Sequence, residues 1–195
     1  MVDVMGFVPV LADSPWTRWR SRAATPSRDA AGARATAAAL SGLDPDRWHV
    51  LADWPVPGEP RAHVEHVVVG PPGVLVVDSK NWNGAVRTAQ GVLRQDGSRR
   101  ERDLAEAART AGVVREALGL DEDVPVIGVL CFVPPAMVTG WIGEVLLCAT
   151  GDVVAVLDRL TRRLDRDRVD DVAARLAPGV ARRPALAPVE GQAGA

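Results

Sequence analysis

At 195 residues, with 47% hydrophobic and 25% charged residues, the chain has the composition of a globular domain long enough to bury a core. Its formal net charge of −2 excludes a global electrostatic pull toward nucleic acid, so any such affinity must come from local arginine clusters. Of the 23 basic residues one is a lysine, Lys80, and the rest are arginine.

Residues 1–28 mix Pro, Ser and Arg with Trp16 and Trp19 and read as a loosely attached arm. An acidic residue at position 3 and the lack of a basic leader segment argue against a signal peptide. From Asp29, the alanine-rich DAAGARATAAALSGL predicts a helix, N-capped by Ser27 or Asp29 and stopped at Gly42. RWHVLADWPV (47–56) predicts a strand that ends in a Pro/Gly loop. VEHVVVG and VLVVDSKNW are β-branched runs on either side of a tight break, which is the pattern of a hairpin. GPPG (70–73) is a turn and not a phosphate loop, because it has neither the glycine spacing nor the following helix that such a loop needs. VRTAQGVLRQDGSRRE predicts a further short hairpin pair.

Residues 103–118, DLAEAARTAGVVREAL, predict an amphipathic helix with Leu104, Ala108, Ala111, Val114 and Leu118 near one face. The strands VPVIGVLCFV and EVLLCA follow, then helices over about 152–164 and 167–177. The Pro/Ala/Gly tail, residues 178–195, is expected to be disordered. The weakly charged stretch from Val124 to Ala149 is broken by Pro134-Pro135, Gly140 and Gly143 and carries Glu144, so it reads as short buried strands and not as a membrane span. Cys131 and Cys148 sit in apolar segments without metal-type spacing and are expected to be buried thiols in a reducing, cytoplasmic setting. The element order gives one domain, residues 29–177, of α/β or α+β class around a mixed sheet.

The stretch VLVVDSKNWNG (74–84) holds Lys80 and both asparagines of the chain, Asn81 and Asn83. If the hairpin is centred on Pro71-Pro72, Glu65 lies opposite Asp78 and His63 opposite Lys80. Strand alternation then puts Glu65, Asp78 and Lys80 on one face. Two opposed carboxylates need a cation or a shared proton between them. A Pro-Pro pair cannot supply the positive φ values of a type I′ turn, so a loop wider than two residues is expected.

Carboxylate oxygens are hard ligands suited to Mg²⁺ or Mn²⁺, and a metal ion beside a compact ammonium is the equipment for hydrolysing a phosphodiester. Arginine is a poor substitute for that ammonium, since it differs in shape and resists deprotonation. The competing reading is an ordinary exposed strand-end lysine paired with Asp78. Even with a catalytic role, a lysine at a strand end is expected to change stability by no more than about 0.5 kcal/mol when replaced by alanine.

The stretch RWHVLADWPVPGEPRAHVEHVVVGPPGVLVVDSKNWNGAVR resembles the core of the nuclease-related domain (NERD) family, and through it the PD-(D/E)xK nucleases. The similarity runs from about Gly32 to Leu176. It implies a restriction-endonuclease-like α/β fold, a mixed β-sheet flanked by helices. It also implies a Mg²⁺- or Mn²⁺-dependent nuclease acting on nucleic acid, with DNA the expected substrate. Carried over by residue, the family's metal-binding aspartate falls on Glu65 and its (D/E)xK on Asp78-Ser79-Lys80. The resemblance thus implies metal ligands Glu65, Asp78 and the Ser79 backbone carbonyl, and catalytic roles for Glu65, Asp78 and Lys80. Two positions depart from the pattern: the first-helix glutamate falls on Ala33, and the glutamine of the later helix on Thr110.

His66 matches the family's "DH" but should face away from Glu65 and pack or cap locally. Trp82 is expected to pack on the sheet rather than stack on a base. The runs RRER (99–102) and RRLDRDR (162–168) are interleaved with acids and read first as solvated faces. Arg99, Arg100 and Arg102 are the candidates for phosphate contacts. Beside the nuclease stands a second reading, a non-catalytic domain of the same fold that binds nucleic acid or a protein partner. Ala33 favours it.

Overall fold

The valine-rich runs around Pro71-Pro72 form the central hairpin of a six-stranded mixed sheet. The computed structural model describes residues 28–57, 63–134, 136 and 138–176. The elements are α1 (Arg28–Leu40), β1 (His49–Pro55), β2 (His63–Gly70), β3 (Gly73–Lys80), β4 (Val86–Ala89), β5 (Val92–Gln95) and β6 (Ser98–Arg99). They continue with α2 (Glu101–Leu118), β7 (Val126–Phe132), β8 (Gly140–Ile142), β9 (Val145–Ala149), α3 (Val153–Asp158) and α4 (Arg166–Ala174). The large sheet has the order β1-β2-β3-β7-β9-β8, and β4-β5-β6 form a separate three-stranded sheet. β1, β2 and β3 are antiparallel, β3, β7 and β9 run parallel, and β8 returns antiparallel to β9. This is the mixed sheet flanked by helices that the sequence implies. The predicted arm (1–28) and tail (178–195) lie outside the described residues, except Arg28, which opens α1.

Both faces of the sheet are covered, which is why its middle strands are nearly continuous apolar runs. Val67, Val69, Val74 and Val76 pack with Ala111, Val114 and Leu118 of α2 and with Val169 and Val172 of α4. Val68, Leu75, Val77 and Val129 pack on the other side with Leu40 of α1 and Val153 and Leu157 of α3. A third cluster, including Leu93, Phe132 and Leu147, lies beneath the small sheet. Cys131 and Cys148 are register partners on β7 and β9, both free and buried. No helix among the described residues is long and apolar enough to cross a membrane.

The hairpin loop is tighter than expected. Gly70 pairs with Gly73, so Pro71-Pro72 is a two-residue turn. The positive φ that the prolines cannot supply is taken by Gly73, at +131°. The turn is also braced: the Arg163 and Leu164 N–H groups donate to the Pro71 carbonyl at 2.7 and 2.9 Å. That commitment explains why α3 ends at Asp158 rather than near 164, since the backbone after it serves the turn instead of a helix. The short strand β8 has no alternating apolar pattern in its sequence to announce it.

α2 lies so close to β7 that a Cβ on Gly128 would stand 2.7 Å from the Ala107 carbonyl oxygen, whereas one on Gly112 would meet nothing within 4 Å. Gly128→Ala is therefore expected to lose about 1–3 kcal/mol or more by prying α2 from the sheet. Gly112→Ala, in an exposed helix interior, is expected to gain about 0.5–1 kcal/mol. Urea unfolding of both variants checks the pair, and equal stabilities would contradict the packing described.

Candidate functional site

The β2–β3 ladder ends at His66↔Val77, and the same register carried one step further sets Glu65 opposite Asp78. At that step β2 is interrupted on its other edge too. It pairs with β1 at Ala52↔His66 and again at Trp54↔Val64, skipping Asp53 and Glu65, and Asp53 takes a left-handed φ of 57°. The interruption switches the strands' faces. Val64 and Val67, three residues apart, pack in one core cluster with Trp54 and Leu51, whereas an unbroken strand would put them on opposite faces. Simple alternation therefore does not carry Glu65 onto the face of Asp78 and Lys80, as the sequence reading assumed. Its carboxylate instead takes up a backbone group freed by the end of the ladder: Ser79 N–H donates to Glu65 Oε2 at 2.6 Å.

Asp78 and Lys80, two apart on β3, do share a face, the one covered by the start of α2. Lys80 Nζ lies 2.8 Å from Asp78 Oδ2 and 3.4 Å from Asp103 Oδ1 in the first turn of α2. The Lys80 side chain is only 15% exposed, so it is not an ordinary surface lysine. Between these two residues Ser79 faces the opposite side, where its Oγ and Thr36 Oγ1 of α1 share a 2.7 Å hydrogen bond. Gly32, one turn earlier on α1, sits against Ser79 and Asn81, and a Cβ there would come within 3.1 Å of the Asn81 Cβ. Ala33, half-buried, is the next residue along that helix.

The electrostatics are those of charge held out of water. Burial pushes the Glu65 carboxyl above its ordinary range and the Asp78 charge adds to the push, while the Ser79 hydrogen bonds pull it back. Burial likewise raises Asp78; Lys80 opposes this, and Glu106 and Asp103 reinforce it. Burial alone would lower Lys80, but the Asp78 and Asp103 carboxylates outweigh it and hold the ammonium above its usual value. Lys80 is thus a fixed cation among carboxylates. His66 is 2% exposed, and its Nδ1 has no hydrogen-bond partner and lies 3.9 Å from Glu65 Oε2. Burial lowers its pKa, keeping the ring neutral.

The donor set suits a hard cation in kind. Ser79 N–H donates to Glu65 Oε2 and Lys80 pairs with Asp78 Oδ2, and each carboxylate has two oxygens with which it can accept. Because a strand residue directs its N–H and C=O to the same side, the Ser79 carbonyl points the way its N–H does, toward Glu65. Mg²⁺ is commonly held by one or two carboxylates with water completing the shell. The set is small in number, however: among the described residues no group of three or more His, Cys, Asp and Glu side chains is arranged to hold a metal ion.

The arginines after the site divide. Arg100 stacks over the Trp82 ring at 5.1 Å and donates to Gln95 Oε1 at 2.5 Å, so it serves the structure. Trp82 itself packs edge-on against Phe132, with ring centroids 5.4 Å apart. Arg99 is paired with Glu101, and Arg102 is exposed. Thr110 turns its hydroxyl back to the Glu106 carbonyl of its own helix. Asp103 and Thr36 were not singled out in the sequence. Asp103 reads there as one of several acids in a helix's first turn, and Thr36 as one polar residue in an alanine run.

A family model described as "Nuclease-related domain" (NERD) matches residues 28–133, which span α1, the hairpin, the small sheet, α2 and β7. No curated protein and no solved structure matches the chain significantly.

Proposed function

The chain belongs to the nuclease-related domain family, and from that premise we propose that it hydrolyses phosphodiester bonds of nucleic acid, with DNA as substrate, in a metal-dependent reaction. The observation that carries the proposal is Lys80. The one lysine of the chain is largely buried and clamped by Asp78 and Asp103, beside two desolvated carboxylates at the open end of a hairpin.

Glu65, Asp78 and the Ser79 carbonyl would hold Mg²⁺ or Mn²⁺, which when bound supplies Lewis-acid polarisation of a phosphoryl oxygen and a water of lowered pKa. Lys80 supplies a compact, permanent positive charge that donates to a phosphate oxygen or orients the attacking water. Asp78 and Asp103 hold that ammonium in place. Ser79, tied to Thr36 on one side and to Glu65 on the other, fixes the strand from which both motif side chains project. The free, buried thiols and the charged surface fit a protein working in the cytoplasm.

A second reading is a domain that binds nucleic acid or a protein partner without cleaving, and Ala33 is the observation in its favour. By the family resemblance Ala33 takes the position of the first-helix glutamate, so a carboxylate that the family pattern implies is missing. Plasmid nicking with Mg²⁺ or Mn²⁺, and with EDTA as control, decides between the two. Cleavage that EDTA abolishes supports the hydrolase, and binding without cleavage under any metal supports the second reading.

The missing carboxylate can also be restored. Ala33→Glu is expected to tighten Mn²⁺ binding if position 33 supplies an anionic oxygen to the site, as the family pattern implies. Titration calorimetry with Mn²⁺ reads this directly, and unchanged affinity would place the α1 position outside the site.

A further inference from the structure

The three-stranded sheet carries a feature that its packing does not require. Register sets Arg87 of β4 opposite Arg94 of β5, and Arg94 opposite Arg99 of β6. Three arginines thus lie side by side in one row. Alternation puts them on the outer face, because Val86 and Leu93, the neighbours of Arg87 and Arg94, face the core beneath. Arg87 and Arg99 are exposed, and Arg94 is half-buried.

Like charges set directly opposite one another destabilise a sheet. The row is only partly neutralised within the chain. Glu101 pairs with Arg99 and also acts on Arg94, whose guanidinium donates to the Gly97 carbonyl at 2.9 Å. A net positive stripe therefore remains on a chain of net charge −2. With strands about 4.8 Å apart, the row spans roughly 10 Å. That is about three axial rises on one strand of a duplex, the reach of four successive phosphates. The row leads in the chain to the candidate site: Arg99 ends β6 two residues before α2, whose first turn carries Asp103, the partner of Lys80, and Arg100 between them anchors the small sheet to Trp82.

We infer that the row Arg87–Arg94–Arg99 is a phosphate-contacting surface that lays a nucleic-acid backbone across the small sheet toward the Lys80 end of the hairpin. The inference rests on the nucleic-acid reading of the site but not on its catalysis. Arg87 and Arg94 come to it from register alone, since neither lies in the arginine run next to the motif.

The test is fluorescence anisotropy of a labelled DNA duplex with the full chain in EDTA, over about 50–200 mM salt. Replacing all three arginines by alanine is expected to flatten the slope of log affinity against log salt by about 2.7, at roughly 0.9 per phosphate contact. Arg87→Glu creates an opposite-charge pair with Arg94, so it is expected to leave melting temperature unchanged or raised while weakening DNA binding. A structural role for the row would move the two together. Wild-type slope and affinity in the folded triple variant, or undiminished binding by Arg87→Glu, overturns the inference. So does an acidic polypeptide binding as tightly as DNA with the same salt slope. Because binding is read in EDTA, a wild type that binds through the row but nicks nothing removes the hydrolase and keeps the surface. A wild type that nicks plasmid while the triple variant binds and nicks equally well removes the surface and keeps the hydrolase.

Discussion

Lys80→Arg is expected to lose nicking activity on supercoiled DNA nearly as far as Lys80→Ala, by about 10²–10⁴-fold in each case. The reason lies in the clamp. Lys80 Nζ sits 2.8 Å from one carboxylate and 3.4 Å from another with its stem largely buried, a space fitted to a compact ammonium. Arginine keeps the charge but replaces a point donor by a longer planar fork, which would pair with Asp78 and Asp103 in a different geometry. The alanine variant carries a cost that an exposed lysine would not. Without the ammonium, Asp78 and Asp103 face each other with Glu106 nearby, so stability is expected to fall by about 1–3 kcal/mol rather than within about 0.5. Lys80→Met retains the apolar stem and separates lost chemistry from lost packing. Asp103→Asn leaves the Asp78 contact in place, so it should reduce turnover less than any Lys80 variant. If Lys80→Arg cleaves as well as wild type, lysine has no special role at this position.

Much of the site was legible because its spacing is local. The Asp78–Lys80 pair follows from i, i+2 alternation on one strand, and the hairpin register follows from two apolar runs around a turn. The switch of faces at Glu65 was not legible. It depends on Asp53 adopting a left-handed φ on the neighbouring strand, and nothing in LADWP announces this beyond aspartate's tolerance for that conformation. Asp103 was hidden for a different reason. It reaches Lys80 through the packing of α2 on β7, a contact set by the bare backbone of Gly128, and its sequence neighbourhood looks like any acidic helix start. The tightness of the turn at Pro71-Pro72 is not legible in the turn's own residues. Gly73 takes the positive φ, and the chain after α3, nearly a hundred residues away, satisfies the Pro71 carbonyl.

Glu65→Gln and Asp78→Asn are expected to abolish metal-dependent cleavage, and each should also erase stabilisation of the folded state by metal. Outer partners of a metal typically cost about 10–100-fold in affinity when removed, and a direct ligand should cost more. In wild type, Mn²⁺ at about a hundred times its dissociation constant should add about 2.7 kcal/mol to unfolding free energy. The metal-free protein supplies the opposite sign. Both carboxyls sit above their unfolded values in the fold, so the folded state holds their protons more tightly. The contribution of these two groups to stability in EDTA is therefore fully present below the unfolded carboxylate range and is lost as pH rises through the raised folded values, leaving a penalty from them at neutral pH. Glu65→Gln removes one of the two charges and keeps an oxygen that can accept the Ser79 N–H. That variant should be at least as stable as wild type in EDTA at neutral pH, yet gain nothing from Mn²⁺. Thermal melts with and without metal read both signs in one experiment. A Glu65→Gln protein that is less stable than wild type in EDTA and still stabilised by Mn²⁺ would remove Glu65 from the metal site and leave it as a brace for Ser79.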